Sequence, residues 1–222
     1  MHIKSYAHIL YHQAYTRFLM LIATLFILLP APIHAKVGGL AFLNPANSIE
    51  KRTSYSVFGD KEEQFSERLD ISFDMRLPYR EEVGYIVRVI DKTDNKIFNV
   101  FYDGRGNDYF ELNREGYKGL IKIPFNRQKL MLKQWFKVHI SFNMKQRTIS
   151  MSIDGEQKSI KLPMGKNSLP HNMLASIVFG RSDYLIDVPS FAMRDLVVSD
   201  ADSRWRFPLK QTSGTTVLDE QH

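Results

Sequence analysis

The sequence predicts an all-β protein built as an antiparallel β-sandwich. Three observations predict it. Side chains alternate apolar and polar with period two in most segments from Tyr55 to Ser199. Gly, Pro, Asn and Asp separate those segments at regular spacing. No segment carries a helical period of useful length; Leu130 to Lys133 has room for one turn. The clearest instance runs from Trp135 to Gly155. Phe136, Val138, Ile140 and Phe142 point one way, and Lys137, His139 and Ser141 the other. Ile149, Met151 and Ile153 then alternate with Ser150, Ser152 and Asp154, and Asp154-Gly155 supplies a tight turn.

In chain order, Met1 to Ala35 reads as a secretory signal peptide. Lys4 and Arg17 are its only charges, Phe18 to Leu29 is an apolar run of twelve residues, Pro30 breaks it, and Ala35 suits cleavage. A spanning helix needs about 20 apolar residues and this run has about twelve; the alternative is an uncleaved anchor, since the bulky Ile33 stands just before the expected cleavage point. Residues 36–54 form an irregular lead-in containing Gly38, Gly39 and Pro45, with room for a short edge strand. The sandwich is expected over 55–200. Glu67 to Leu77 alternates, with Leu69, Ile71, Phe73, Met75 and Leu77 inward. Tyr85 to Ile90 is apolar on both faces apart from Arg88, which suits a strand in mid-sheet. Ile97 to Tyr102 is its partner across the polar turn Asp91 to Lys96. Tyr109 to Leu112, Leu120 to Ile123, Lys158 to Leu162, Ala175 to Phe179 and Phe191 to Val198 complete a set of about ten strands. Residues 201–222 are polar after Trp205-Arg206-Phe207-Pro208-Leu209. They read as a tail folded back on the sandwich or as the start of a further region.

Composition excludes several classes. The chain carries 30 Lys+Arg and 24 Asp+Glu, a net charge of +6. Without residues 1–35, which hold two basic residues and no acid, 28 basic and 24 acidic residues leave +4. That charge is too mild and too scattered for nucleic acid, which calls for a basic stripe. There is no cysteine, so a thiol nucleophile, a thiolate metal site and a thioether-linked lipid anchor are all excluded. About 187 residues bury one adequate core without disulfides. These features imply export to a periplasm, a cell surface or the medium, with no membrane span after signal cleavage.

Trp135 opening a strand, the following hairpin ended by Asp154-Gly155, Phe179-Gly180, and Phe191 to Asp200 (FAMRDLVVSD) together resemble the laminin-G/concanavalin A-like superfamily. The resemblance covers Tyr55 to Asp200 and implies a jelly-roll sandwich in which Trp135 serves packing. The closing strand followed by Phe207 to Asp219 is also similar to the amino-terminal region of larger exported bacterial proteins. There the resemblance implies a neighbouring Kelch or propeller-type domain.

Candidate sites follow from residue chemistry. A hydrolase of this fold needs two carboxylates on one strand face. Glu67 and Asp70 fall on opposite faces, and Asp70 and Asp74 share theirs with Arg68, Ser72 and Arg76, as on a solvated surface. His139, His171 and His222 are the histidines beyond the signal, and no Gly-x-Ser-x-Gly turn exposes a serine. His139 reads as a surface strand residue. The resemblance implies calcium at a rim, and Asp103, Asn107 and Asp108 around Gly104 and Gly106 have the hard oxygens for it, with Asp183 in a later loop. The same residues are good hairpin-turn chemistry, and no other cofactor is called for. For carbohydrate, Tyr102, Tyr109, Tyr117 and Tyr184, with Tyr79, are the loop-proximal rings. The expectation is an exported, non-enzymatic module recognising a glycan or an envelope protein. One alternative is a structural spacer, which predicts an exposed apolar patch at Trp205 and Phe207. The other is a glycoside hydrolase, which predicts a carboxylate pair in a cleft.

Overall fold

A computed structural model describes residues 38–42, 53–77, 81–106, 108–116, 119–126, 135–165, 168–180 and 188–210. The expected signal peptide and the helical turn at 130–133 lie outside these residues. Among the described residues the regular structure is all strand. The strands are β1 (Leu40–Phe42), β2 (Ser54–Ser56), β3 (Glu63–Ser66), β4 (Arg68–Arg76), β5 (Val83–Asp91), β6 (Lys96–Asp103) and β7 (Tyr109–Arg114). They continue as β8 (Ile121–Pro124), β9 (Phe136–Asn143), β10 (Thr148–Ile153), β11 (Glu156–Lys161), β12 (Asn172–Gly180), β13 (Phe191–Ser199) and β14 (Arg204–Phe207).

Two antiparallel sheets form the sandwich. Sheet A has the order β1-β13-β4-β9-β10-β11, with β14 also on β13. Sheet B has the order β2-β12-β5-β6-β7-β8, with β3 also on β12. The period-two expectation holds along β4, β9 and β10, whose inward residues are buried and whose outward ones are half-buried or exposed, save Ser141. Asp154 and Gly155 both take positive φ, 51° and 89°, the two left-handed positions of a type I′ hairpin between β10 and β11. Glu67, at φ 60°, is the corner where the chain leaves sheet B for sheet A.

Aromatic side chains bridge the sheets. Phe98 on β6 meets Phe142 on β9 edge-on at 5.0 Å, and Phe73 on β4 meets Phe179 on β12 at 5.1 Å. Such pairs add about 0.5–1.5 kcal/mol each beyond the area they bury.

The sandwich takes in strands on both sides of the expected 55–200 span. Leu40–Phe42 pairs with β13, and Phe42 stacks on Phe191 at 4.2 Å. Arg204–Phe207 folds back on the far half of β13. The apolar patch expected of a spacer is not there: Trp205 meets Phe58 and Phe65 edge-on at 5.4 and 5.8 Å, and Phe207 is buried. Both side chains complete the core where β14 covers it.

Candidate functional site

The outward face of sheet B collects a set of side chains that strict alternation would separate. β5 pairs with β6 through Tyr85↔Phe101 and then Val87↔Val100, so one residue, Ile86, is extra. Ile86 and Val87 both turn into the core, and Tyr85 and Arg88, three apart, both face outward. Bulges of this kind re-aim side chains and recur beside functional sites.

Two cross-strand rows result. The first runs Val178, Arg88, Asn99, Asn113 over β12, β5, β6 and β7. Arg88 Nε donates to Asn99 Oδ1 at 3.2 Å, and Asn99 Nδ2 donates to Asn113 Oδ1 at 3.2 Å. Although this row lies on the outward face, Arg88 is only 4% exposed and Asn99 3%. A guanidinium is rarely buried so far unless it is held by partners, and the amide line holds this one in a single orientation. The second row runs Tyr85, Phe101, Glu111, Lys122 over β5 to β8. The Tyr85 ring meets Phe101 edge-on at 5.7 Å. Burial raises the Tyr85 hydroxyl pKa; Arg88 opposes the shift, and Glu115 and Glu111 add to it. The hydroxyl is therefore a protonated donor at neutral pH.

Glu111 is half-buried beneath Gly119. A Cβ at residue 119 would stand 2.5 Å from the Glu111 carboxyl carbon, so glycine there lets the carboxylate keep its place. Glu111, Asn113 and Glu115 share one side of β7 and its turn. Glu115 lies in the turn after β7, its backbone at most roughly 13 Å from that of Glu111. The residue between these two is Asn113, an amide, which lends no proton.

The tyrosines expected to bind ligand are not gathered here. Tyr102 is a correction: it is 3% exposed, packed against Phe110 and Phe125 at 5.3 and 5.7 Å, and offers no ring face to a sugar. It falls on the core side because it pairs with Phe110 across β7. Tyr109 faces outward, but Lys122 Nζ sits 3.4 Å from its ring centroid. Burial, then the charges of Asp103 and Glu111, raise its hydroxyl pKa. Tyr79, Tyr117, Tyr184, Asn107 and Asp183 lie outside the described residues.

The expected calcium ligands show turn chemistry. Asp103 Oδ1 accepts the Arg105 N–H at 2.9 Å, and its carboxylate also bonds the Tyr109 hydroxyl. Asp108 takes φ 46°, and its carbonyl accepts the Phe125 N–H at 2.9 Å. Among the described residues no three metal-ligating side chains gather. Trp135 packs, with the Arg194 guanidinium 4.2 Å from its ring and Gly39 against its edge. Sequence reading missed Arg88, Asn99, Glu111 and Asn113. The even spacing of Glu111, Asn113 and Glu115 was legible as one strand face; the bulge that brings Tyr85 beside Arg88 was not.

No family model and no curated protein matches the chain. Several solved structures resemble it. They include a heptameric SAP-like pentraxin from Limulus polyphemus, 15% identical over 63% of this chain and 66% of that one, with a TM-score of 0.43. Domains LG4-5 of the mouse laminin alpha1 chain are 13% identical over 72% of this chain and 44% of that one, at 0.45. A Bacillus licheniformis beta-glucanase is 11% identical over 72% and 77%, at 0.43. The chain spans less than two thirds of the length of the first two. The two antiparallel sheets themselves bear out the β-sandwich expected from the sequence. At such identities and scores the neighbours decide nothing about this chain, whose architecture rests on its own two sheets. Among the described residues no helix is long and apolar enough to cross a membrane.

Proposed function

We propose that this chain is an exported, non-enzymatic binding module that takes a carbohydrate on the outward face of sheet B. One observation carries the reading: the Tyr85–Phe101 ring pair lies beside the hydrogen-bonded line Arg88–Asn99–Asn113. Sugars offer apolar C–H faces, which rings cover, and fixed arrays of hydroxyls, which amides meet as donors and acceptors. Tyr85, Phe101 and Asn113 are half-buried and reachable, while the buried Arg88 and Asn99 hold Asn113 in place from beneath. Here those groups stand on three adjacent strands, with side chains already locked by one another, so little entropy is lost when a ligand docks. Binding rather than hydrolysis is favoured because Glu115 lies in the exposed turn beyond β7, off the strand that carries Glu111, with the amide of Asn113 between them.

The test is a broad glycan array probed with the purified protein, with and without calcium. Specific retention is expected, unchanged by calcium removal and weakened about tenfold or more by Asn113→Ala or Tyr85→Ala in folded protein. A blank array from folded protein overturns the reading and turns the search to protein partners at the envelope.

A further inference from the structure

Sheet A carries a separate groove of about 300 Å³ on its outward face, between β14, β13, β4 and β9. Register builds it. Arg204, Ser199, Asp70 and Ser141 form one row across these four strands, and Arg206, Val197, Ser72 and His139 form the next. Arg68 extends the Asp70 side of the groove from the start of β4. Period-two alternation on four strands therefore delivers three cationic or imidazole groups and two hydroxyls to one shallow floor.

The charges of this floor do not balance. Asp70 is the one carboxylate among the residues lining the groove. It pairs with Arg68, lies 3.2 Å from His139 Nε2 and accepts a bond from Ser141. Arg204 stands two strands away, about 10 Å from that cluster, with Ser199 between them. Among the described residues no ion pair or hydrogen bond engages its guanidinium. Arg206, in the adjoining row, adds a second positive charge on the same strand. One end of the groove is a self-satisfied cluster, the other a cation, and hydroxyls of Ser72 and Ser199 lie between.

We propose that this groove is a second binding site, for an oxyanion held by the Arg204 guanidinium and the hydroxyl floor. Guanidinium presents parallel N–H donors that fit carboxylate, sulfate or phosphate oxygens two at a time. His139 and Arg68 close the far side of the space, but Asp70 engages both, so the anion is held chiefly by Arg204 and the serine hydroxyls. The anion is carried either by an acidic sugar or by a free inorganic ion. This site shares no residue with the face of sheet B, and its fate is independent of the carbohydrate reading.

The experiment titrates the isotope-labelled protein with sodium glucuronate, sulfate and phosphate, each at low ionic strength and again with added chloride, following amide chemical shifts. A saturable response at Ser199, Ser72 and His139 is expected, weakened by chloride as a charge interaction requires. Arg204→Ala, at an exposed position, is expected to weaken it about tenfold. Asp70→Asn is expected to strengthen it several-fold, because the carboxylate competing for Arg68 and His139 is gone. Asn113→Ala on the other sheet leaves it unchanged. Glucuronate binding with sulfate and phosphate weaker makes the source an acidic sugar; the reverse order makes it an inorganic anion. The proposal falls if none of the three gives a saturable response, or if folded Arg204→Ala binds as the parent does.

Discussion

Asp91 shows what burial does to a single carboxylate in this core. It ends β5 with no exposed surface; Oδ1 accepts the Thr93 N–H at 2.9 Å, and Oδ2 has no hydrogen-bond partner among the described residues. Lys96 stands opposite in register, but its ammonium goes to Asp94 and to the Ser168 carbonyl, both at 2.6 Å. Burial therefore raises the Asp91 pKa, against the bonds from Thr93. Its folded value lies above the unfolded one. The contribution to stability is thus fully present below the unfolded pKa, near 3.8, and is lost as pH rises through the folded value. Asp91→Asn keeps the acceptor for Thr93 and removes the desolvated charge. We expect a higher thermal midpoint than the parent at pH 7 and a gain that shrinks toward zero at pH 3, measured by melts at the two pH values. Asp70 has the opposite sign. Burial pushes its carboxyl up, but bonds from His139, Ser141 and Arg68 outweigh burial and hold it below the usual value. Its contribution is present above the unfolded pKa and is lost as pH falls through the folded one.

At the scale of the element, two bulges explain what strand patterning leaves out. On β5 the extra Ile86 places Tyr85 and Arg88 on one face. On β13 the register against β4 shifts between Arg194 and Val197, and Asp195 takes φ 51°. That extra residue lets Leu196 return to the core, and the Asp195 N–H reaches the Pro208 carbonyl at 2.9 Å. Alternation alone would place Asp195 inward. The hairpin from Trp135 to Gly155, by contrast, was readable residue by residue, because neither β9 nor β10 bulges against its partner. The edge of sheet B supplies a test of the site that spares the fold. Gly119→Ala drives a Cβ onto the far end of the Glu111 side chain, which yields by rotating. We expect stability within about 0.5 kcal/mol of the parent, as for a surface change, in urea denaturation. Glycan retention is expected to fall as Glu111 moves; retention equal to the parent removes Glu111 from the binding face.

Across the whole molecule, strands distant in sequence close the core. β4 lies between β9 and β13, and β5 lies between β6 and β12. β14 covers the end at which Phe58 and Phe65 would otherwise meet water. Trp205→Ala removes a half-buried ring from that cluster. We expect a loss of about 3 kcal/mol, the low end for a core aromatic, read from urea denaturation at constant slope. No measurable loss would mean that β14 is an ornament on β13 rather than part of the core.

The sequence by itself determined the all-β class, the strands from β4 to β13, the inward faces of β4, β9 and β10, and the Asp154-Gly155 turn. These are local consequences of a side-chain period of two and of residues that tolerate positive φ. Tertiary structure alone decided that Tyr102 is core and Tyr85 is surface, that Arg88 meets Asn99 and Asn113, and that Asp70 meets His139 sixty-nine residues along the chain. A bulge inverts the parity on which the local reading depends. Neighbours within a sheet are chosen by the shared burial of two apolar faces, which no window of sequence contains.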